Sequence, residues 1–193
     1  MRQDNVRVRK SDLTREAILN AGRASFARKG FSGSSIRDIT TLAEVTRGNF
    51  YYYFPDKQSL FIELGTVTYK EGMTIAESFG DGVPVREWVV RYFEYLDRHG
   101  AFVIRSVEDA PADPSFRRSV AKLQRRTAAA LGDRMAKDAL RPFRSSSASI
   151  GMTTMAMLER SWLLMHSTDA PVASDDVTVD AVAELIERML GVE

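Results

Sequence analysis

The stretch SSIRDITTLAEVTRGNFYYYFPDK, Ser34 to Lys57, decides the fold of the N-terminal part of this chain. Ser35 and Asp38 have the spacing of a capping box, which predicts a short helix beginning directly after Ser35. Thr46 can cap a second short helix, and Pro55 ends it because a residue before proline is excluded from helical conformation. The segment EVTRG between the two helices must turn sharply. Two short helices joined by a tight turn are what a helix-turn-helix requires.

The second of these helices contains an unbroken aromatic run from Phe50 to Phe54. Neighbouring residues on a helix are about 100° apart, so Phe50 and Phe54 share one face and can anchor the helix. Tyr51, Tyr52 and Tyr53 spread over the remaining circumference, and at least one ring must therefore point outward. An outward tyrosine can pack on a sugar or a thymine methyl group while its hydroxyl contacts a phosphate. The alternative is that the tyrosines only border the core.

Helical spacing continues on both sides of this stretch, and no segment alternates with the two-residue period of a strand. Thr14 can cap a first helix that ends at Gly30, and Asp56 can cap a long fourth helix. Further helices are expected at 84–99, 100–108, 114–139, 146–167 and 176–190. The predicted fold class is all-α: an N-terminal three-helix helix-turn-helix head followed by a larger helical bundle. The predicted domains are 1–57, with a flexible basic arm at 1–12, and 58–193.

The charge distribution and the residue composition indicate which classes of function suit the chain. Residues 1–57 hold eleven Lys or Arg against six Asp or Glu, a net charge of +5, whereas the remaining 16 cations and 20 anions give −4. A basic head on a mildly acidic body is typical of a nucleic-acid-binding protein. Cysteine is absent and only two histidines occur, so we expect no metal site and no cofactor. No apolar run is long enough for a membrane span or a signal peptide, so we expect no membrane partner and a cytoplasmic location.

The run from Thr14 to Phe61, TREAILNAGRASFARKGFSGSSIRDITTLAEVTRGNFYYYFPDKQSLF, resembles the DNA-binding head of the tetracycline-repressor (TetR) family. The resemblance covers about residues 14–64, and its pieces occur in register. It implies a homodimeric, ligand-responsive transcriptional regulator, most often a repressor, that binds double-stranded operator DNA with its head. It also implies that the body binds a small-molecule effector and forms the dimer through the last two helices.

The resemblance assigns particular residues to DNA. Ser35 matches a phosphate-contacting cap, Arg37 can reach a guanine edge or a phosphate, and Lys57 matches a phosphate-binding lysine. The full set of implied DNA-binding residues is Ser35, Arg37, Thr46, Arg47, Gly48, Asn49, Tyr51, Tyr52, Tyr53 and Lys57. The chain departs from the family at Glu44, where glycine is usual, so either Glu44 adopts an unusual backbone conformation or the turn differs. The arm residues Arg2, Arg7, Arg9 and Lys10 could enter an adjacent minor groove.

The body is rich in aromatic residues and methionine, which suits core packing and also an adaptable apolar pocket. The candidate pocket residues are Trp88, Tyr92, Phe93, Leu96, Phe102, Phe116, Met155, Trp162, Met165 and His166. His166 or Tyr92 could orient a polar group on a small, largely apolar ligand. The candidate dimer residues are Ile150, Gly151, Thr154, Met155, Leu158, Ala181, Val182, Leu185, Ile186 and Met189.

Two alternatives belong to other function classes. A small α-helical enzyme acting on a hydrophobic substrate could use Glu108, Asp109, Asp113 or His166. No nucleophile-elbow, phosphate-loop or zinc-protease spacing supports it, so we expect that the protein is not an enzyme. An interaction module that binds RNA or a membrane surface would need a stacking sheet or a sustained basic amphipathic helix, and the sequence predicts neither.

Overall fold

The computed structural model describes residues 10–109, 111–166 and 175–192. Within these ranges the regular secondary structure consists of α-helices joined by turns and loops, and no strand is present. The eight helices are α1 (Lys10–Gly33), α2 (Ile36–Leu42), α3 (Arg47–Tyr53), α4 (Lys57–Glu77), α5 (Val85–Glu108), α6 (Pro114–Asp138), α7 (Ser147–His166) and α8 (Asp175–Leu190). The all-α prediction is confirmed.

The chain divides into two units. The head unit contains the described residues up to Thr66 together with the segment Arg105–Pro111, and the body unit contains Val67–Ile104 and the described residues from Ala112 onward. The predicted domain boundary after Lys57 lies in the first turn of α4, whereas the head unit continues to Thr66. The end of α5 also belongs to the head unit, which the sequence did not predict.

The first helix differs from its prediction at one end. It begins at Lys10 rather than after Thr14, so the part of the predicted flexible arm at 10–12 is helical, while Arg2, Arg7 and Arg9 lie outside the described residues. At the other end Gly30 leaves the helical conformation with φ 73° and ψ 178°, which supports the predicted role of a glycine there. A side chain at this position would be strained by the positive φ.

The head unit has a small aromatic core. Ile18, Ala21 and Phe26 of α1 are buried, and the core also includes inward residues of α2, α3 and α4. The rings of Phe26 and Phe61 lie 5.0 Å apart, edge to face, which is a favourable arrangement for buried aromatic pairs. The buried apolar residues of this core are Ile18, Ala21, Phe26, Ile39, Phe50, Phe54, Leu60, Phe61 and Leu64.

The body unit corrects one predicted boundary. Residues 84–99 and 100–108 were expected to form two helices, but α5 runs without interruption from Val85 to Glu108. Gly100 lies inside this helix. A β-carbon at this position would come within 2.7 Å of the Trp162 ring, so the position requires glycine. The glycine therefore permits close packing of α5 on α7 rather than ending a helix.

The core of the body unit contains residues from α4, α5, α6, α7 and α8. Gly151 of α7 packs against the backbone of α6 at Ala128, an approach that leaves no room for a β-carbon. No helix in the described part of the chain is long and apolar enough to cross a membrane. The largest members of the core are Phe79, Trp88, Tyr92, Phe93, Tyr95, Leu96, Leu131, Met135, Leu158, Trp162, Ile186 and Leu190.

Candidate nucleic-acid interface and effector site

The start of α2 is fixed by the capping box that the sequence predicts. The Ser35 hydroxyl accepts from the Asp38 backbone N–H at 3.1 Å, and the Ser35 backbone N–H donates to the Asp38 carboxylate at 3.0 Å. Lys29 also donates to Asp38, at 2.9 Å. The hydrogen bonds from Lys29 and then from Ser35 lower the pKa of Asp38 to about 2. Ser35, predicted to contact a phosphate, is exposed but already engaged with Asp38.

The turn between α2 and α3 settles the question raised at Glu44. Its φ is 53°, so a non-glycine residue occupies the left-handed region there. Hydrogen bonds on both sides hold the turn: the Ala43 N–H donates to the Ile39 carbonyl at 2.9 Å, and the Val45 N–H donates to the Thr40 carbonyl at 3.0 Å. The Glu44 side chain is exposed.

Helix α3 begins and ends as predicted. The Thr46 hydroxyl accepts from the Asn49 backbone N–H at 3.1 Å, and Phe54 is extended with φ −135° and ψ 119° directly before Pro55. Phe50 and Phe54 are both buried, with ring centroids 5.9 Å apart. These two rings fix which face of α3 points away from the core.

The opposite face of α3 is open. Tyr51 is 47% exposed and Tyr52 is 80% exposed, which confirms that tyrosine rings point outward. Thr46, Arg47, Gly48 and Asn49 at the N-terminal tip are exposed too. Arg47 donates to the Tyr51 hydroxyl at 3.4 Å, and its guanidinium lies 6.0 Å from the centre of that ring.

Three side chains of this surface have unused hydrogen-bonding groups. Arg37 on α2 and Asn49 and Tyr52 on α3 are exposed, and within the described ranges none of the three side chains has a hydrogen bond or an ion pair to another protein group. Arginine and asparagine can read base edges by paired hydrogen bonds, and a tyrosine hydroxyl can bond to a phosphate. These three side chains are available to an external partner.

Tyr53 and Lys57 are less open than the sequence predicts. The Tyr53 hydroxyl donates to the Ser11 carbonyl of α1 at 2.9 Å. The Lys57 ammonium donates to the carbonyls of Phe31 and Ser34 at 2.6 and 2.7 Å and lies 4.3 Å from the centre of the Phe31 ring. Burial lowers the pKa of Lys57, and the Asp109 carboxylate opposes that shift. Both residues therefore hold the head unit together, whatever else they contact.

Most of the candidate pocket residues lie in the core of the body unit. Trp88, Tyr92, Phe93, Leu96 and Trp162 belong to one buried cluster, and Met155 and Met165 pack against it. Phe102 is buried and Phe116 is half-buried. The two indole N–H groups are satisfied, that of Trp88 by the Ile75 carbonyl at 2.9 Å and that of Trp162 by the Asp97 carboxylate at 2.8 Å.

His166 does not point into this core. Its side chain is exposed, its Nδ1 lies 2.9 Å from the Trp162 carbonyl, and its ring stacks on Trp162 with centroids 4.5 Å apart. The expectation that His166 orients a ligand inside the bundle is therefore not supported by its position.

Sequence reasoning missed one half-buried polar group of the body unit, Glu159. The Glu159 carboxyl on α7 lies close enough to Tyr92 and Tyr95 of α5 to raise the pKa of both phenols, although burial is the larger cause. Burial also raises the pKa of Glu159 itself to about 7. The available signal was its spacing: Glu159 follows Met155 by one helical turn and precedes Trp162 by three residues.

Comparison with known proteins agrees with this geometry. Residues 18–64 match the model described as bacterial regulatory proteins, tetR family. The N-terminal part of the chain is therefore similar to the tetR family. It is 33% identical over 107 residues to the HTH-type transcriptional repressor NicS of Pseudomonas putida, a match that covers 53% of this chain and 50% of that protein.

Two further proteins are similar to this chain. The chain is 29% identical over 116 residues to the HTH-type transcriptional repressor DhaR of a Mycobacterium species, covering 56% of this chain and 59% of that protein. The matched part of the chain thus spans 50% of the length of NicS and 59% of that of DhaR. Its fold is similar to that of a TetR-family transcriptional regulator from Bordetella parapertussis, with a TM-score of 0.69, 20% identity, and coverage of 89% of this chain and 93% of that one.

The last two helices differ from expectation in which residues they expose. Five of the candidate dimer residues are buried inside the body unit and cannot meet another subunit: Gly151, Thr154, Leu158, Val182 and Ile186. The apolar surface lies instead on the outer faces of α7 and α8. Its large exposed members are Met152, Leu164, Val177, Leu185 and Met189.

Proposed function

We propose that this protein is a sequence-specific DNA-binding transcriptional regulator, a homodimeric repressor that a small ligand releases from its operator. The observation that carries the proposal is the exposed face of α2 and α3, on which Arg37, Asn49 and Tyr52 keep hydrogen-bonding groups unused by the described part of the chain. The names of NicS and DhaR as HTH-type transcriptional repressors support the same function.

Two short, rigidly capped helices suit DNA recognition. In a helix-turn-helix the second helix enters the major groove with its N-terminal residues toward the bases. Here that tip carries Arg47, Gly48 and Asn49, whose small central residue allows a close approach of the backbone to DNA. We assign Arg37 and Asn49 to base edges, and Arg47, Tyr51 and Tyr52 to the sugar-phosphate backbone.

The proposed dimer is supported by exposed apolar residues on the outer faces of α7 and α8. Val177, Leu185 and Met189 lie on one side of α8, and Met152 and Leu164 are exposed on α7. A second copy that packs the same two helices against these would bury them in a four-helix interface with two-fold symmetry. Two heads related in this way must meet successive major grooves, about 34–36 Å apart.

The comparisons lend no support to the enzyme alternative, and two of its candidate residues have structural partners. Asp109 accepts hydrogen bonds from Ser32, and Glu108 pairs with Arg105 at 3.2 Å. Groups already engaged in this way are poor candidates for general acid or base catalysis. We therefore propose a non-enzymatic protein that acts in the cytoplasm.

The proposal is tested by selecting binding sites from random double-stranded DNA and measuring affinity at two salt concentrations. Arg37→Ala should weaken binding to the selected site by about 1–3 kcal/mol and relax the preference at one base pair. Arg144→Ala removes an exposed arginine of the body unit and is the matched control. Failure to select any duplex at low salt would contradict the proposal.

A further inference from the structure

The outer side of α6 carries a cluster of cations with no anion among them. Residues 114–132 of this helix contain no Asp or Glu. At about 100° per residue, the cluster lies opposite Leu131, which belongs to the buried core of the body unit. We call this surface the α6 cationic face, and its exposed side chains are Arg118, Lys122, Arg125 and Arg126.

These four cations are unpaired. None of them has a hydrogen bond or an ion pair to another group in the part of the chain that the structure describes. Anions are not scarce, because residues 58–193 outside the segment 117–126 hold 11 Lys or Arg against 20 Asp or Glu. Elsewhere in the body unit five arginines each pair with a carboxylate: Arg86, Arg91, Arg98, Arg134 and Arg188.

The spacing of the cations sets like charges beside each other. Lys122 follows Arg118 by four residues, and Arg126 follows Lys122 by four, and side chains at this spacing are neighbours on a helix. Like charges so placed repel and lower the stability of the helix. An anionic partner relieves this repulsion when it binds, so the free protein is charged in favour of such a partner.

The chemistry of the α6 cationic face favours a phosphate backbone over a protein, a membrane or RNA. Protein interfaces are anchored by large apolar side chains, and no described residue of α6 exposes one. Insertion into a membrane surface needs a free apolar face, whereas that of α6 is buried in the body core. Single-stranded RNA is held by stacking on aromatic rings. Contacts to the phosphates of duplex DNA need cations alone.

The length of the face also fits a DNA strand. Arg118 and Arg126 are eight residues apart, and a helix rises about 1.5 Å per residue, so the cations span about 12 Å. One strand of a duplex carries a phosphate about every 3.4 Å along its axis. The four cations therefore face about three or four phosphates of one strand.

We infer that Arg118, Lys122, Arg125 and Arg126 form a second DNA-binding surface, which holds the sugar-phosphate backbone of a separate duplex without reading its sequence. The inference goes beyond the proposed function, in which the head binds the operator, and rests on it only in taking DNA as the partner. A protein with both surfaces bridges two segments of duplex DNA.

Bridging is measured by surface plasmon resonance. A duplex of shuffled sequence is fixed to the chip, and the protein is injected with an excess of a duplex no longer than its selected site, so that the heads stay occupied. We expect capture at low salt. The slope of log affinity against log salt should be about −3 to −4, because each neutralised phosphate contributes about −0.9.

Two double variants isolate the α6 cationic face. Arg118→Gln with Arg125→Gln should weaken capture at least about tenfold at low salt and reduce the magnitude of the slope by about two. Arg141→Gln with Arg144→Gln removes two exposed arginines from another part of the body unit and should change neither. Both variants should bind the short selected duplex as the unaltered protein does. The α6 variant should not melt at a lower temperature, since neither side chain has a partner in the described part of the chain.

Several results would overturn the inference: no capture of the saturated protein, undiminished capture of the α6 variant, an equal loss in the control variant, or tighter binding of the unaltered protein to phosphatidylserine vesicles or polyglutamate than to DNA at the same salt concentration. Undiminished capture would assign the second duplex to the head. Failure to bind the short selected duplex would contradict the proposed function, whereas binding of that duplex without capture would overturn only the role of the α6 cationic face.

Discussion

Asp109 at the end of α5 accepts two hydrogen bonds from Ser32 at the end of α1, from the backbone N–H at 2.9 Å and from the hydroxyl at 2.7 Å. Both residues belong to the head unit, although they are 77 positions apart in the sequence. Gly30 faces the same carboxylate, which occupies the space that a β-carbon would need. The conformation of the chain at the end of α1 therefore depends on Asp109, which directly follows α5.

We expect Asp109→Ala to destabilise the head unit by about 1 kcal/mol, because two charge-assisted but exposed hydrogen bonds are lost. Those bonds lower the pKa of Asp109, so the stability they contribute is present above the carboxyl's ordinary pKa and is lost as pH falls through the folded value. Thermal melts of the two proteins should differ at pH 7 and converge as pH falls below about 4. Glu108→Gln is the control, and an equal effect of that change would count against a specific role of Asp109.

Lys57 offers a second test of the head unit. Replacement by Met keeps an apolar stem over Phe31 but removes the donors to the carbonyls of Phe31 and Ser34, so stability should fall by about 1–3 kcal/mol. If the ammonium also neutralises a phosphate, the slope of log affinity against log salt should decrease in magnitude by about one. Lower melting temperature with an unchanged slope would leave only the structural role. An unchanged melting temperature would contradict the hydrogen bonds.

Local features of this head were predictable from sequence. The capping box at Ser35, the Thr46 cap, the end of α3 before Pro55 and the positive φ of Gly30 each depend on residues within a few positions of one another. The prediction that at least one tyrosine ring points outward followed from the 3.6-residue period once Phe50 and Phe54 were assigned inward.

Other features depend on contacts that sequence spacing does not contain. The sequence predicted two helices that meet between residues 99 and 100, whereas α5 is continuous there and Gly100 leaves room for the Trp162 ring. Lys57 suggested a free cation, but two carbonyls at the end of α1 bind it. Glu159 carried no motif, and its unusual environment arises only when α5 brings two tyrosines beside α7.

The dimer face gives a third prediction. Leu185→Glu places a charge on the outer face of α8, where the residue is 51% exposed in the single chain. Burying that charge between two copies would cost several kcal/mol, so the variant should sediment as a monomer at concentrations where the unaltered protein is dimeric. Leu13→Glu, at a site on α1 that is 55% exposed, is the control and should remain dimeric. A dimeric Leu185→Glu would place the interface elsewhere.

The half-buried Glu159 carboxyl of α7 predicts an unusual dependence of stability on pH. The pKa of Glu159 is raised from 4.5 to about 7 in the folded protein, so folding favours the protonated form. Below pH 4.5 the carboxyl is protonated in both the folded and the unfolded protein, so its burial does not lower the free energy of unfolding. Between pH 4.5 and about pH 7 the carboxyl ionises in the unfolded protein first, so the folded protein loses stability as the pH rises. Glu159→Gln should therefore be more stable than the unaltered protein at pH 8 by up to about 2–3 kcal/mol, while the two should melt alike near pH 4. Denaturant unfolding at both pH values measures this difference, with Glu94→Gln as the exposed counterpart. A variant that is less stable at pH 8 would mean that the carboxylate has a stabilising partner, and the cost of its burial would then be absent.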